Sequence, residues 1–215
     1  MKNGLYLPGD TDLYCLTAQE YSNGRNNIDV VHDIIASNVK IIQYREKDKP
    51  IREKYEECKI IREMTRKAGV TFIIDDDVDL AMVTDADGVH IGQEDLPLGE
   101  VRKILGDKII GLSTHSPEQA KQAVELGADY IGVGPIYPTK TKKNVCDAVG
   151  LKYLDHVVST HNIPFVAIGG IKLHNVEEVM THKAKCVAMV TEIVGAKDIP
   201  ALIHAIRVKM GTVNY

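Results

Sequence analysis

The chain has 215 residues, 44% of them hydrophobic and 26% charged, enough for one sizeable core; the expectation is a single domain over 1–215. Its 30 acidic and 26 basic side chains give a net charge of −4, so there is no global basic bias and nucleic acid is not an expected partner. No apolar stretch approaches the ~20 residues of a spanning helix, and the opening MKNGLYLPGDTD lacks a signal peptide's apolar run, so no membrane is expected and the cytoplasm is the expected location.

Short β-branched runs then alternate with amphipathic segments from end to end. A strand over 12–17 (DLYCLT) leads to a helix over 28–37, and a strand over 39–44 (VKIIQY) to a helix over 50–68. The run 70–74 (VTFII) precedes a helix over 77–84, and 87–91 (DGVHI) precedes one over 98–105. A fifth strand, 108–112 (KIIGL), leads to a helix over 116–127. Ser116 caps that helix, Pro117 fits its first turn and Gly127 sits where it stops. Strands over 129–133 (DYIGV), 164–168 (PFVAI) and 185–190 (KCVAMV) precede helices over 150–160, 174–182 and 198–209. Eight such units favour an α/β fold of the closed (β/α)8, or TIM, barrel type over an open doubly wound sheet. Cys15, Cys58, Cys146 and Cys186 show no C-x-x-C pair, which argues against a zinc or redox motif and fits reduced structural thiols.

In such barrels chemistry gathers where strands end and βα loops begin. The polar residues that stand out here obey that rule. After strand two, Gln43, Arg45 and Lys47 alternate, so a two-residue period puts all three on one face able to hold a diphosphate. A charged strand end reaching water, with Glu46 paired locally, is the plain alternative. After strand three, Asp75, Asp76, Asp77 and Asp79 crowd together, and Asp95 lies on the next βα loop. Like charges so close repel unless a cation sits among them. Mg2+, which takes one or two carboxylates plus substrate phosphates, suits Asp76 and Asp95, while Asp77 and Asp79 read as capping or solvated.

The loop GVGPIYPTKTKK (132–143) offers hydroxyls, backbone N–H groups and three lysines at one place, as a phosphate ester requires, although a solvated basic turn has the same composition. Gly169-Gly170 and Val190-Thr191 fall in the loops after strands seven and eight, where barrels commonly bind a phosphate. Of the histidines, His115 alone is placed on the rim. Two anion sites follow, and so do two phosphorylated ligands, one of them carrying a diphosphate leaving group.

The motifs QYREKD, FIIDDDVDLA, ADGVHIGQEDLP, GLSTHS, GADYIGVGPIYPTKTKK and IPFVAIGGI together resemble those of the thiamine phosphate synthase family over nearly the whole chain. The resemblance implies a transferase that joins 4-amino-2-methyl-5-(diphosphooxymethyl)pyrimidine to a thiazole phosphate or its carboxylated form, through a dissociative pyrimidinylmethyl cation. It implies that Gln43, Tyr44, Arg45, Glu46 and Lys47 bind the pyrimidine diphosphate near Asp75, with Arg45, Ser113 and Lys142 catalytic at the departing diphosphate. It further implies one Mg2+ per subunit on Asp76 and Asp95. The thiazole phosphate would meet Thr139, Lys140, Thr141, Gly170, Val190 and Thr191. A homodimer is left open. Three positions depart from the family pattern: Asp75 replaces an asparagine, Asp77 an arginine, and Thr191 a serine. A related tautomerase shares the barrel but predicts a weakened diphosphate site, against which the intact QYREKD and TKTKK argue; a non-catalytic binder rests only on Asp75 and Asp77.

Overall fold

The computed structural model describes residues 1–141 and 146–212. Strands β1 (Tyr14–Leu16), β2 (Ile41–Tyr44), β3 (Thr71–Asp75) and β4 (Gly88–Ile91) pair in parallel, and β5 (Ile109–Thr114), β6 (Tyr130–Val133), β7 (Phe165–Ile168) and β8 (Val187–Ala188) continue in sequence order. The ring closes where Leu13 bridges Val187 in parallel and the Val187 N–H donates to the Asp12 carbonyl at 3.0 Å. Between the strands run α1 (Asn27–Ala36), α2 (Ile51–Ala68), α3 (Val78–Val83), α4 (Leu98–Leu105), α5 (Pro117–Glu125), α6 (Gly150–Thr160) and α7 (Val176–Thr181). After β8 come a short α8 (Val190–Val194) and the closing α9 (Ile199–Met210).

Every expected strand and helix is present, with two differences. The eighth strand stops at Ala188 rather than 190, and α8, which the periodicity did not single out, begins at Val190. Five residues are too few to display a helical period against the apolar run that precedes them. Local signals set the other boundaries. The Ser116 hydroxyl accepts from the Gln119 N–H at the start of α5, and Gly69 ends α2 in the left-handed conformation. No helix among the described residues is long and apolar enough to cross a membrane.

Alternation along each strand divides the buried residues into two sets. Leu13, Ile42, Phe72, Ile74, Val89, Ile110, Ile131 and Val187 pack outward under the helices. Tyr14, Leu16, Ile41, Ile73, Ile109, Tyr130, Val166, Cys186 and Ala188 fill the barrel itself. Cys15, Cys58 and Cys186 are buried free thiols, and burial pushes the Cys15 thiol up to about 12; Cys146 is exposed.

At the N-terminal ends of the strands, aspartates tie the barrel to its helices. Asp87 receives the Arg62 guanidinium through two bonds of 2.7 and 2.9 Å and also accepts from the Phe72 N–H. Asp129 holds Lys2, Arg102 and the Ile110 N–H in the same manner. Asp12 receives Arg207 Nε of α9 at 2.7 Å, just where β1 and β8 meet. Burial alone would raise the Asp12 pKa, but hydrogen bonds and charge from Arg207, with the Thr212 hydroxyl, outweigh it and hold it below 3.8. A carboxylate depressed in the folded state contributes stability that is complete above about pH 5 and is lost as pH falls through the folded value. Arg207→Ala should therefore lower stability at neutral pH by about 2 kcal/mol, and its deficit should shrink towards pH 3, as urea titrations at several pH values would measure.

Candidate active site

Inward alternation runs past the strand ends and sets the composition of the rim. Gln43, Asp75, His90 and Ser113 take the last inward positions of β2 to β5, and Arg45 and Lys47 carry the same parity into the loop after β2. They open on a cavity of about 770 Å3, a size that accommodates small-molecule substrates. Thr139, Lys140, Thr141, Gly170, Lys172, Val190 and Thr191 form the opposite wall.

On the first side, Asp75 sits between two cations. Its carboxylate lies 2.7 Å from Lys47 Nζ and 3.6 Å from Arg45 Nε, and Arg45 and Asp75 are each only 11% exposed. Asp76 turns out of the strand with φ +59°, a left-handed conformation that aspartate tolerates, and its carboxylate also meets Lys47. Burial would lower the Lys47 pKa, but the charge and hydrogen bonds of Asp75, then Asp76, outweigh it and raise it. Lys47 is thus firmly cationic, yet partly neutralised before any ligand arrives. Asp77 leaves the cavity altogether: it precedes α3 and pairs with Lys54 at 2.8 Å.

Three residues assigned to the site by motif stand off the cavity wall. Tyr44 has outward parity and is 1% exposed, and its hydroxyl donates to Glu57 at 2.6 Å beneath α2. The Glu46 carboxylate turns back to accept from the Gln19 N–H at 2.9 Å. Both brace the loop that carries Arg45 and Lys47, and neither residue lines the cavity. Asp95 is exposed and accepts from the N–H of Gly92, a wall residue, at 2.6 Å, so its carboxylate is one hydrogen bond from the cavity. Lys142 lies outside the described residues.

Among the described residues no three His, Cys, Asp or Glu side chains converge as a metal cluster. The donor set Asp76 and Asp95 nevertheless fits Mg2+: both are carboxylates, on the loops that follow the adjacent strands β3 and β4, and Asp76 is tied to β4 by its N–H to the His90 carbonyl at 2.9 Å.

The second side is built by close backbone approach. Gly170 has φ +65°, and a Cβ there would lie 2.7 Å from the Tyr137 carbonyl oxygen and 2.8 Å from that of Pro138. Only glycine lets β7 meet the loop that bears Thr139 and Thr141. The Asn175 side-chain amide then donates to the Gly170 carbonyl at 3.1 Å. Lys172, which the motifs did not select, donates to the Thr191 hydroxyl at 3.3 Å and to Glu192 at 3.0 Å. His90 and His174 join His115 on the cavity wall, which corrects the placing of His115 there alone. Parity counted from Asp75, the register partner of His90, was the signal that would have found His90.

A closed parallel barrel with such a rim cavity, basic and carboxylate-rich at one end, glycine- and hydroxyl-rich at the other, defines the (β/α)8 enzymes that act on phosphorylated small molecules. Residues 13–193 match the family model described as thiamine monophosphate synthase. A thiamine-phosphate synthase of Pelotomaculum thermopropionicum is 63% identical over 92% of this chain and 91% of its own, and that of Lawsonia intracellularis is 54% identical over 94% of each. The solved thiamine phosphate pyrophosphorylase of Pyrococcus furiosus superposes with a TM-score of 0.85 at 34% identity, covering 93% of this chain and 95% of that one. The chain belongs to the thiamine monophosphate synthase family, whose members are transferases of thiamine biosynthesis.

Because Asp75 shares charge with both rim cations, Asp75→Asn should tighten binding of inorganic pyrophosphate by up to about tenfold, measured by calorimetric titration, while kcat/KM moves by no more than that factor. An unchanged affinity would mean that Arg45 and Lys47 do not face the anion.

Proposed function

We propose that the cavity carries out its family's reaction, thiamine-phosphate synthesis, by seating 4-amino-2-methyl-5-(diphosphooxymethyl)pyrimidine at the β2–β5 end and a thiazole phosphate or carboxythiazole phosphate at the β6–β8 end. One observation supports this most directly: two anion-receptive ends share one cavity, so the reacting carbon and the thiazole nitrogen can be held face to face. Arg45 and Lys47 neutralise the diphosphate, and the Ser113 hydroxyl donates to it. Gln43 reads the pyrimidine. Thr139, Thr141 and the Gly170 backbone, with Lys140, Val190 and Thr191, hold the thiazole phosphate.

Diphosphate departs first, because positive groups are gathered where negative charge develops, and the pyrimidinylmethyl cation left behind is captured by the thiazole nitrogen. Asp75 lies beside that cation, where an asparagine would offer no charge. The products are thiamine phosphate and pyrophosphate. Asp76 and Asp95 would hold one Mg2+, which supplies charge neutralisation to the bound diphosphate. The cytoplasm as location and a homodimer as assembly belong to the same reading.

Mixing the pyrimidine diphosphate, the thiazole phosphate and Mg2+ with the protein should yield thiamine phosphate and pyrophosphate in equal amounts, measured by chromatography; no coupled product would sink the reading. Asp95→Ala should lose most turnover without loss of the folded barrel, as a rim carboxylate contributes little to the core, and full activity in excess chelator would refute the metal assignment. Lys142→Ala should slow single turnover by about a hundredfold or more while leaving thiazole phosphate binding nearly intact. The opposite pattern would move Lys142 to the thiazole end.

A further inference from the structure

A line of hydrogen bonds crosses the barrel interior beneath the cavity. Gln43 Nε2 donates to the Tyr14 hydroxyl at 3.0 Å, and Tyr14 lies 2.7 Å from the Tyr130 hydroxyl. Tyr130 is 3.0 Å from His90 Nδ1, and His90 Nε2 is 2.9 Å from Ser113 Oγ. Tyr14, Tyr130 and Gln43 are at most 2% exposed, so a proton without an acceptor there would be costly. Burial, foremost, pushes both phenols above their usual range, so both keep their protons.

The fold makes room for this line. A Cβ on Gly111 would fall 2.1 Å from the Tyr130 ring, and one on Gly132 would fall 3.3 Å from the His90 ring. Two inward positions of β5 and β6 are left empty of side chain so that Tyr130 and His90 can reach each other.

The chain of donors has one direction. The Gln43 amide nitrogen can only donate, so Tyr14 accepts there, and the Tyr130 oxygen at 2.7 Å is the acceptor that its own buried proton meets. Tyr130 then donates to His90 Nδ1. A neutral imidazole with Nδ1 accepting carries its proton on Nε2, which donates to Ser113 Oγ. The serine hydroxyl is left to donate into the cavity.

We infer that His90, held in this tautomer by the Tyr14–Tyr130 pair, is a positioning residue that aims the Ser113 hydroxyl as a donor at the diphosphate, and that Gln43 sets the polarity of the line from its far end. The inference rests on the reading of Ser113 as a diphosphate contact. It couples the side chain that reads the pyrimidine to the one that meets the leaving group, through the Tyr14, Tyr130 and His90 side chains between them.

The test is a double-mutant cycle. Tyr130→Phe keeps the ring in its slot and removes only the hydroxyl. It should lower kcat by about tenfold, leave KM for the thiazole phosphate within about twofold, and weaken inorganic pyrophosphate binding in the presence of Mg2+. In a Ser113→Ala background the same substitution should change neither rate nor pyrophosphate affinity, because nothing remains to be aimed. Tyr14→Phe, tested in both backgrounds, gives the same pattern should Tyr130→Phe fold poorly, as monitored by its thermal midpoint. A loss that persists undiminished in the Ser113→Ala background, or no loss in the single variants, overturns the inference. A wild-type protein that makes no thiamine phosphate would refute the functional reading, whereas the pyrophosphate-binding cycle would still decide whether the line acts through Ser113.

Discussion

A closed ring of eight parallel strands admits only every second side chain to its interior, and that restriction governs the rest of this molecule. Ile41 and Ile73 share inward parity with Gln43 and Asp75 one pleat further on, and Ile109 with Ser113 two pleats on, so each strand passes from packed core to polar rim without changing face. The cavity-lining polar groups are therefore mounted on the same pleat that fills the barrel. The same parity turns Tyr44 outward, where its hydroxyl serves Glu57 rather than a ligand. Gly111 and Gly132 obey the rule by leaving their places empty, which lets the His90 ring of β4 and the Tyr130 ring of β6 meet past β5.

Charge is handled differently at the two ends of the barrel. At the N-terminal ends, Asp12, Asp87 and Asp129 each face an arginine, and Asp87 and Asp129 also take a backbone N–H, an arrangement of fixed pairs that joins helices to strands. At the C-terminal ends the pairs after β2 and β3 border the cavity. Lys47 stands between Asp75 and Asp76, and Arg45 lies 3.6 Å from Asp75, so in the proposed reading phosphate oxygens would exchange one set of anionic partners for another. Such exchange keeps the free site from carrying uncompensated buried charge while leaving the cations available. The carboxylate at 75 thus acts on the free protein as well as on any bound cation.

Opposite the basic side, Gly170 and the loop holding Thr139 and Thr141 approach so closely that a methyl group would not fit, and Lys172 bridges to Thr191 and Glu192 on α8. Three separate βα loops are locked into one wall by these contacts. A site assembled from loops gains its precision from such cross-links, since no loop alone holds a phosphate in register with a partner substrate across the cavity.

Much of this was written in the chain itself. Alternating strands and helices, the cap at Ser116, the glycine pair at 169–170 and the two-residue spacing of Gln43, Arg45 and Lys47 are local features, and local sterics and periodicity determine them without reference to distant residues. Together they placed the barrel and the polar rim residues of its βα loops. Other features needed the folded ring. Only register decides that His90 lies level with Asp75 and that its ring reaches Ser113 and Tyr130, contacts spanning 23 and 40 residues. Likewise, only tertiary structure could turn Glu46 back to Gln19 and bring Lys172 to Glu192, because a motif fixes the order of side chains, not which surface of its loop finds a partner. Sequence determines parity and chemistry along one strand; closure of the barrel decides which strands' side chains meet.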